Sequence, residues 1–269
     1  MSGPDDPSAS IFLRAVSVEG PVDAVTIVFV HGAGISKYMW RPQVEALSED
    51  FRVVTFDLPG HGTQNDTRFD FDSAVELSAD IVADVRPSSV VLVGHSLGGY
   101  VALECAARAP DQVSGLVLSG SSADYRGWLG FRTRVIAALY RLGGRIPFVD
   151  RRFRARTADQ IRRLPIADTT AQAIIDGGFY LHSWGEAGRA LVGRDFQSRL
   201  KQYDGPVLLV NGEEDTLNVP NAEQFAAELS NVESAVIADA GHLCNLQAPS
   251  AYTDHIRDFS RGHRTPRSE

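Results

Sequence analysis

Short apolar runs alternate with segments of helical periodicity along most of this chain. Residues 25–30 and 89–93 are almost wholly apolar and rich in β-branched side chains, the pattern of a strand buried on both faces. Residues 70–85 instead repeat apolar side chains every three to four positions, as a helix with one buried face does. This alternation predicts an α/β fold with a doubly wound, mainly parallel sheet.

Six strands and five flanking helices are predicted in this way. The strands are expected at residues 25–30, 52–56, 89–93, 115–119, 206–210 and 234–238. The helices are expected at residues 40–49, 70–85, 98–109, 220–230 and 248–260. The polar termini, residues 1–9 and the tail from about Gly262, are expected to be frayed.

Between residues 121 and 200 the strand pattern disappears and helical patterns dominate. This stretch has 14 arginines, no lysine and 7 acidic residues, a net charge of +7. Because the whole chain carries −8, the remainder carries −15. We therefore predict a core domain made of residues 10–120 and 201–261, with residues 121–200 inserted as a basic helical cap, or lid, over the strand ends.

The most specific motif follows the strand at 89–93. Residues 94–99 read GHSLGG, a G-x-S-x-G motif with a strand before it and a helix after it. In so sharp a turn a side chain at Gly94 or Gly98 would collide with neighbouring backbone, and Ser96 is forced outwards. The amides that begin the next helix favour negative charge at the same point. The motif predicts Ser96 as a catalytic nucleophile.

A serine hydroxyl is a poor nucleophile unless a base takes its proton. His242 and Asp215 each follow a predicted strand, and open α/β sheets collect their ligands at those strand ends. We expect Asp215 to hold one tautomer of His242, and His242 to deprotonate Ser96. Glu214 and Asp124 are alternatives for the acid.

The remaining histidines are sorted by their position in the chain. Only His242 combines a strand end, a preceding glycine and a late position. His31, His61 and His95 lie in loops at strand ends, where we expect their rings to hydrogen-bond loop backbone.

A nucleophilic serine also needs donors for the developing oxyanion. Residues 31–34 read HGAG directly after a strand, and their glycines let backbone amides turn towards a substrate. We predict that the amides of Ala33 and Leu97 form the oxyanion hole, at about 3–4 kcal/mol for each favourable donor. Neighbouring residues expected to contact substrate are Gly32, Gly34, His95 and Leu243.

Together these segments resemble the α/β-hydrolase superfamily. The matching segments are HGAG at 31–34, FDLPGHG at 56–62, GHSLGG at 94–99, NGEED at 211–215 and AGH at 240–242. The resemblance runs from about residue 25 to 260 and leaves the predicted cap unmatched. It implies the fold but no particular substrate, because the superfamily includes esterases, thioesterases, lactonases, C–C bond hydrolases, lyases and receptors. The serine at position 96 disfavours the branches with an aspartate nucleophile.

Three functions are compatible with these residues. The leading hypothesis is a serine hydrolase that cleaves a small carboxylic ester, thioester or lactone through an acyl-enzyme on Ser96. The second is a C–C bond hydrolase or a lyase that uses the same triad. The third is a non-catalytic small-molecule receptor, which the intact Ser-Asp-His set disfavours. None of these hypotheses requires a cofactor or a metal ion.

The predicted partner is a small molecule of apolar or aromatic character. Trp128, Phe131 and Trp184 of the predicted cap are expected to line its site. The arginines are expected to form a solvated face, with anionic substrates or membrane surfaces as alternatives. A net charge of −8 argues against a nucleic-acid partner. With no signal peptide and no apolar run of membrane-spanning length, we expect a cytoplasmic protein; the oligomeric state stays open.

Overall fold

A computed structural model describes residues 15–85, 89–227, 229 and 231–262. The termini predicted to be frayed, residues 1–9 and the tail beyond Gly262, lie outside these residues. The described part contains one sheet of seven strands in the order β1-β3-β2-β4-β5-β6-β7. The strands are β1 (Val16–Glu19), β2 (Thr26–Val30), β3 (Arg52–Phe56), β4 (Val90–His95), β5 (Gly115–Ser119), β6 (Val207–Gly212) and β7 (Val232–Ile237). All neighbours are parallel except β1 and β3, which confirms the predicted fold class.

Helices cover both faces of the sheet and fill the long connection between β5 and β6. They are α1 (Arg41–Leu47), α2 (Phe71–Asp84), α3 (Leu97–Arg108), α4 (Gly127–Gly143), α5 (Pro147–Ile161), α6 (Asp168–Asp176), α7 (Leu181–Leu191), α8 (Phe196–Leu200), α9 (Val219–Ala226), α10 (Cys244–Gln247) and α11 (Pro249–Arg261). Across the described ranges, none of the helices combines the length and apolar character needed to cross a membrane.

Strand β1 was not predicted. Its residues Val16–Glu19 pair antiparallel with β3 at the edge of the sheet, and their side chains are half-buried or exposed. An edge strand of this kind lacks the apolar run that marks a strand buried on both faces, so its sequence does not stand out.

Alternate residues of the central strands face the two sides of the sheet. On β2, Val28 and Val30 pack into the core that includes α2 and α3, whereas Ile27 and Phe29 pack into the core that includes α1 and α11. Burying each such side chain stabilises the fold by about 1.5–3 kcal/mol. The two cores hold the sheet rigid beneath the strand ends where the site lies.

The strand order reverses at β2, which has β3 on one side and β4 on the other. The loops after β2 and β4 therefore leave the sheet side by side, the arrangement that creates a crevice at the carboxyl ends of parallel strands. A Cβ built on Gly32, in the loop after β2, would lie only 3.6 Å from the Cβ of Ser96. The topology thus brings residues 31–34 next to the predicted nucleophile.

Residues 121–200, which we call the β5–β6 segment, hold helices α4 to α8 and no strand. Helix α4 lies against α7 at very short range, because a Cβ at Gly185 would be 2.6 Å from the carbonyl oxygen of Ala137. Glycine in α7 is what permits this approach. The division of the chain into a core and a separate cap stays a prediction.

Candidate active site

Ser96 occupies the tight turn between β4 and α3. Its backbone has φ 52° and ψ −118°, a left-handed conformation that non-glycine residues adopt at a cost of about 1–3 kcal/mol. A Cβ on Gly94 would be 2.2 Å from the Gly98 carbonyl oxygen, and a Cβ on Gly98 would be 2.1 Å from the Val30 carbonyl oxygen. Neither position has room for a side chain, as the motif predicts.

His242 and Asp215 form a close pair next to this turn. Nδ1 of His242 donates to Oδ2 of Asp215 over 2.7 Å, and the Asp215 side chain is only 5% exposed. Burial acts to raise the pKa of Asp215, but the hydrogen bond and charge of His242, together with hydrogen bonds from Asn218, lower it well below the usual range. Asp215 is therefore ionised at neutral pH and fixes the proton of His242 on Nδ1.

Asn218 is a supporting residue that sequence reasoning missed. Its backbone amide donates to Oδ1 of Asp215 at 3.0 Å, and its side-chain amide donates to Oδ2 at 2.9 Å. The Asn218 side-chain oxygen in turn accepts from the amide of Ser122 at 3.0 Å. One asparagine thus orients the carboxylate and joins the loop after β6 to the loop after β5. No sequence motif marks this role, because it depends on the path of both loops.

Neither of the other two candidate acids is hydrogen-bonded to His242 in the part of the chain that the structure describes. Glu214 is exposed, and Asp124 pairs with Arg126 at 2.8 Å. Of the three carboxylates considered from the sequence, Asp215 is the one whose hydrogen bond with His242 the structure describes.

The backbone amides of Ala33 and Leu97 are available to a ligand. The amides on either side of Ala33 are taken, since Gly32 donates to Sδ of Met39 at 3.4 Å and Gly34 donates to Nε2 of His61 at 3.0 Å. Within the described part of the chain, the amides of Ala33 and Leu97 have no intramolecular acceptor. Both residues line a cavity together with Ser96.

His31 and His61 serve the loop backbone, which confirms the expectation for these two rings. Nε2 of His31 accepts from the amide of Leu58 at 2.9 Å, and Nε2 of His61 accepts from the amide of Gly34. Burial lowers the pKa of His31 to about 4 and that of His61 to about 3. Both rings are neutral at pH 7, and they hold the loop that presents Ala33.

His95 differs from the backbone role expected for it. Its Nδ1 lies 3.3 Å from the hydroxyl of Ser119, and its ring centroid is 4.9 Å from that of His242. Burial, followed by the nearby charge of His242, lowers the pKa of His95 well below its usual range. The neutral ring packs beneath His242 and borders the main cavity.

Two cavities of unequal size meet at Ser96. The larger has a volume of about 510 Å³ and contains Ser96, Asp215 and His242 in its wall. Five of the residues predicted to contact substrate also line it: Gly32, Gly34, His95, Trp184 and Leu243. Apolar side chains that were not predicted individually complete it, among them Ile35, Met39, Phe153, Ile161, Phe179 and Leu217. The smaller cleft, of about 110 Å³, lies between α4 and α7.

The structure contradicts the predicted place of Trp128 and Phe131 in the substrate site. Their side chains are 72% and 56% exposed, they stack on each other at 5.5 Å, and they line neither cavity. Helix α4 turns its small residues Gly130 and Ala137 inwards instead. Aromatic spacing along a helix does not reveal which face is buried, whereas the close packing of α4 on α7 decides it.

Comparison with known proteins gives consistent matches. Residues 27–255 match the model of the Alpha/beta hydrolase family. A pimeloyl-(acyl-carrier protein) methyl ester esterase of Neisseria meningitidis is 31% identical over 252 residues, which cover 89% of this chain and 95% of that protein. The 3-oxoadipate enol-lactonase 1 of Acinetobacter baylyi is 26% identical over 249 residues, which cover 91% and 92%.

A solved structure shares the fold. An esterase from Thermogutta terrifontis superposes with a TM-score of 0.73 at 24% sequence identity. The match covers 93% of this chain and 94% of that one.

Proposed function

This chain is a hydrolase of the alpha/beta hydrolase family, and we propose that it cleaves small carboxylic esters, thioesters or lactones through an acyl-enzyme on Ser96. One observation carries the proposal. Ser96, His242 and Asp215 border the same cavity, and Asp215 is bound to Nδ1 of His242 at 2.7 Å. This arrangement leaves Nε2 of His242 as the base for the serine hydroxyl.

Acylation begins when His242 takes the proton of the Ser96 hydroxyl and the serine oxygen attacks the substrate carbonyl carbon. The carbonyl oxygen becomes an oxyanion, which the amides of Ala33 and Leu97 stabilise. The tetrahedral intermediate collapses as His242 gives its proton to the leaving alcohol or thiol. Asp215 remains ionised throughout and stabilises the imidazolium of His242.

Deacylation repeats these steps with water as the nucleophile. His242 removes a proton from water, the hydroxide attacks the acyl-enzyme, and the proton passes to the Ser96 oxygen as the acid leaves. Two relatives, a methyl ester esterase and an enol-lactonase, support ester-type chemistry for this chain.

The test compares wild type with Ser96→Ala on phenyl acetate, phenyl thioacetate and a small lactone. We expect wild-type turnover of at least one substrate and a loss of kcat of about 10³-fold or more in the variant. Circular dichroism and the thermal midpoint establish that the variant is folded. Equal turnover by folded Ser96→Ala contradicts the proposal, as does cleavage of a vinylogous diketone by an enzyme inactive on all three substrates.

A further inference from the structure

The side chain of Trp184 divides the space above Ser96. Its ring lies 5.3 Å from the ring of Tyr140, which lines the small cleft, and 5.8 Å from the ring of Phe153, which lines the large cavity. Trp184 itself borders both spaces, and so does Ser96. Ala33 and Tyr125 border both spaces as well. A substrate bonded to Ser96 can therefore extend in two directions, one on each side of the indole ring.

The two compartments differ in their relation to the proton donor. His242 and Asp215 line the large cavity and are not among the described residues that line the small cleft. Leu97, whose amide is a proposed oxyanion donor, borders the small cleft, and Ala33, which supplies the other proposed donor, borders both spaces. The leaving-group oxygen must lie within hydrogen-bonding distance of His242 to receive its proton. The leaving group therefore belongs in the large cavity.

Neither compartment offers a charged partner for an anionic substituent. Among the described residues that line the two spaces there is no lysine or arginine. The wall of the large cavity is predominantly apolar, with Met39, Phe153 and Phe179 among its members. An uncharged, apolar group fits it best.

We propose that the enzyme prefers esters of a short acid with a large apolar alcohol, with the acyl group in the small cleft and the alcohol in the large cavity. The inference rests on the proposed function and specifies its substrate class. A cleft of about 110 Å³ accepts an acyl group of about two to four carbons, whereas about 510 Å³ accepts a much larger alcohol. Trp184 separates the two halves of the substrate.

Two isomeric esters test the direction of binding. Octyl acetate and methyl nonanoate have the same formula and differ only in which side of the ester bond carries the long chain. We expect kcat/KM for octyl acetate to exceed that for methyl nonanoate by about tenfold or more, because the long chain fits only on the alcohol side. Proton release in a pH-stat follows both reactions without a chromogenic leaving group.

A variant of the small cleft tests the acyl compartment. A Cβ at Gly188 would make ordinary contacts, at 3.5 Å with Cβ of Ala137 and 3.7 Å with Cγ2 of Thr133, so Gly188→Ala narrows the cleft without a clash. We expect the ratio of kcat/KM for p-nitrophenyl butanoate to that for the acetate to fall about tenfold. Phe153→Leu is the matched change in the large cavity and should alter the preference among alcohols while leaving this acyl ratio unchanged.

The outcomes separate this inference from the proposed function. Preference for methyl nonanoate, or equal use of both isomers, overturns the assignment of the compartments while Ser96-dependent ester hydrolysis stands. An unchanged acyl ratio in Gly188→Ala overturns it as well. If no ester is cleaved in a Ser96-dependent way, the proposed function is wrong, and the inference that rests on it falls with it.

The outer face of α4 carries an exposed apolar stripe. The stripe consists of Trp128, Phe131, Val135, Leu139 and Leu142, spaced by three or four residues, and each is at least 47% exposed. Helical spacing places all five on one narrow face. Exposed apolar surface of this continuity marks an interaction site in a folded protein.

The segment that carries the stripe has only positive charges, and the acidic residues that flank it in sequence are paired: Asp124 with Arg126 and Asp150 with Arg154. Residues 127–149 contain four arginines and no acidic residue. Arg132, Arg134 and Arg145 are exposed and, within the ranges that the structure describes, form no ion pair. A second copy docking through the same stripe would bring these unpaired arginines of both copies together, which disfavours that contact. Aromatic and aliphatic side chains bordered by arginines are instead complementary to an anionic membrane surface.

We infer that the α4 stripe binds the surface of anionic lipid bilayers. The test is cosedimentation with vesicles of phosphatidylcholine, with and without phosphatidylglycerol. We expect binding only to the anionic vesicles, weakened by salt, and reduced about tenfold in Trp128→Ser/Phe131→Ser and in Arg132→Gln/Arg145→Gln. The control is Val22→Ser/Val236→Ser, which removes two exposed apolar side chains elsewhere and should bind like wild type.

Three results overturn this assignment. The first would be failure of the wild type to sediment with anionic vesicles. The second would be binding of the Trp128→Ser/Phe131→Ser variant at the wild-type level. Alternatively, sedimentation velocity shows a dimer that the same pair of substitutions dissociates, which assigns the stripe to a second copy of the chain.

Discussion

Glycines around Ser96 are required because there is no room for a side chain at their positions. Gly98 is the clearest case, because a Cβ there would meet the carbonyl oxygen of Val30 in the neighbouring strand at 2.1 Å. The contact is with backbone of a central strand, so relieving it requires the strand and the helix to move apart. The requirement for glycine is therefore a packing requirement at this position.

We predict that Gly98→Ala lowers the free energy of unfolding by about 3 kcal/mol, because β2 and α3 must separate. Urea denaturation measures the change. Gly193→Ala is the control: its φ is +85°, yet nothing lies within 4 Å of an added Cβ, so only backbone strain of about 1–2 kcal/mol is expected. Equal losses in the two variants would contradict the packing explanation.

Removing the charge of Asp215 tests its role without removing its shape. We predict that Asp215→Asn lowers kcat by about four orders of magnitude, as the equivalent substitution does in serine proteases. The reason is that His242 is no longer held with its proton on Nδ1. Steady-state kinetics on the best ester substrate gives the value. Glu214→Gln and Asp124→Asn are matched controls that should stay near wild type. Near-normal kcat in Asp215→Asn would remove Asp215 from the mechanism.

Functional residues that directly follow a predicted strand could be identified from the sequence. Residues whose role depends on how the loops fold could not. Ser96, Asp215 and His242 each follow a strand, so the topology of a parallel sheet is enough to gather them at one edge. Asn218 contacts Asp215 only because the chain turns back after β6. Trp128 was misplaced because its helix could present either face to the core.

Among the elements, the central strands were the most predictable. The predicted strand at 52–56 coincides with β3, and the strand at 115–119 coincides with β5, because runs of buried apolar residues have no alternative placement. The edge strand β1 and the bounds of the helices in the β5–β6 segment were not predicted. Their positions depend on contacts with other elements rather than on their own apolar periodicity.

Packing of α4 on α7 should depend on the glycines of α7. We predict that Gly185→Ala lowers the thermal midpoint by several degrees, because its Cβ would lie 2.6 Å from the carbonyl oxygen of Ala137 and 2.6 Å from the amide nitrogen of Arg141. Gly188→Ala is the control on the same helix, where the nearest atom is 3.5 Å away. Differential scanning calorimetry compares them, and a midpoint unchanged in Gly185→Ala would contradict the described packing.

At the scale of the whole molecule, acid sensitivity follows from buried neutral histidines. Burial lowers the pKa of His31 to about 4 and of His61 to about 3, against 6.5 for an unperturbed ring. Below pH 6.5 the unfolded chain gains protons that the folded chain does not bind. The two neutral rings therefore contribute fully to the free energy of unfolding above pH 6.5. This contribution is lost as the pH falls towards 4.

We predict that the free energy of unfolding falls between pH 6.5 and pH 4.5, with each of these rings contributing up to about 1.4 kcal/mol per pH unit. Urea unfolding at several pH values measures the slope. His61→Gln should make the slope shallower, since one titrating ring is removed. A free energy of unfolding that is independent of pH over this range would show that the rings are not buried in the neutral form.

The most direct test of the central claim is to trap the nucleophile. After treatment of the folded protein with a fluorophosphonate, intact-mass spectrometry and peptide mapping locate the covalent adduct. We predict one adduct per chain on Ser96, none in Ser96→Ala, and much slower formation in His242→Ala. An adduct on another residue, or a folded wild-type protein that takes no adduct, would contradict the assignment of Ser96 as the nucleophile.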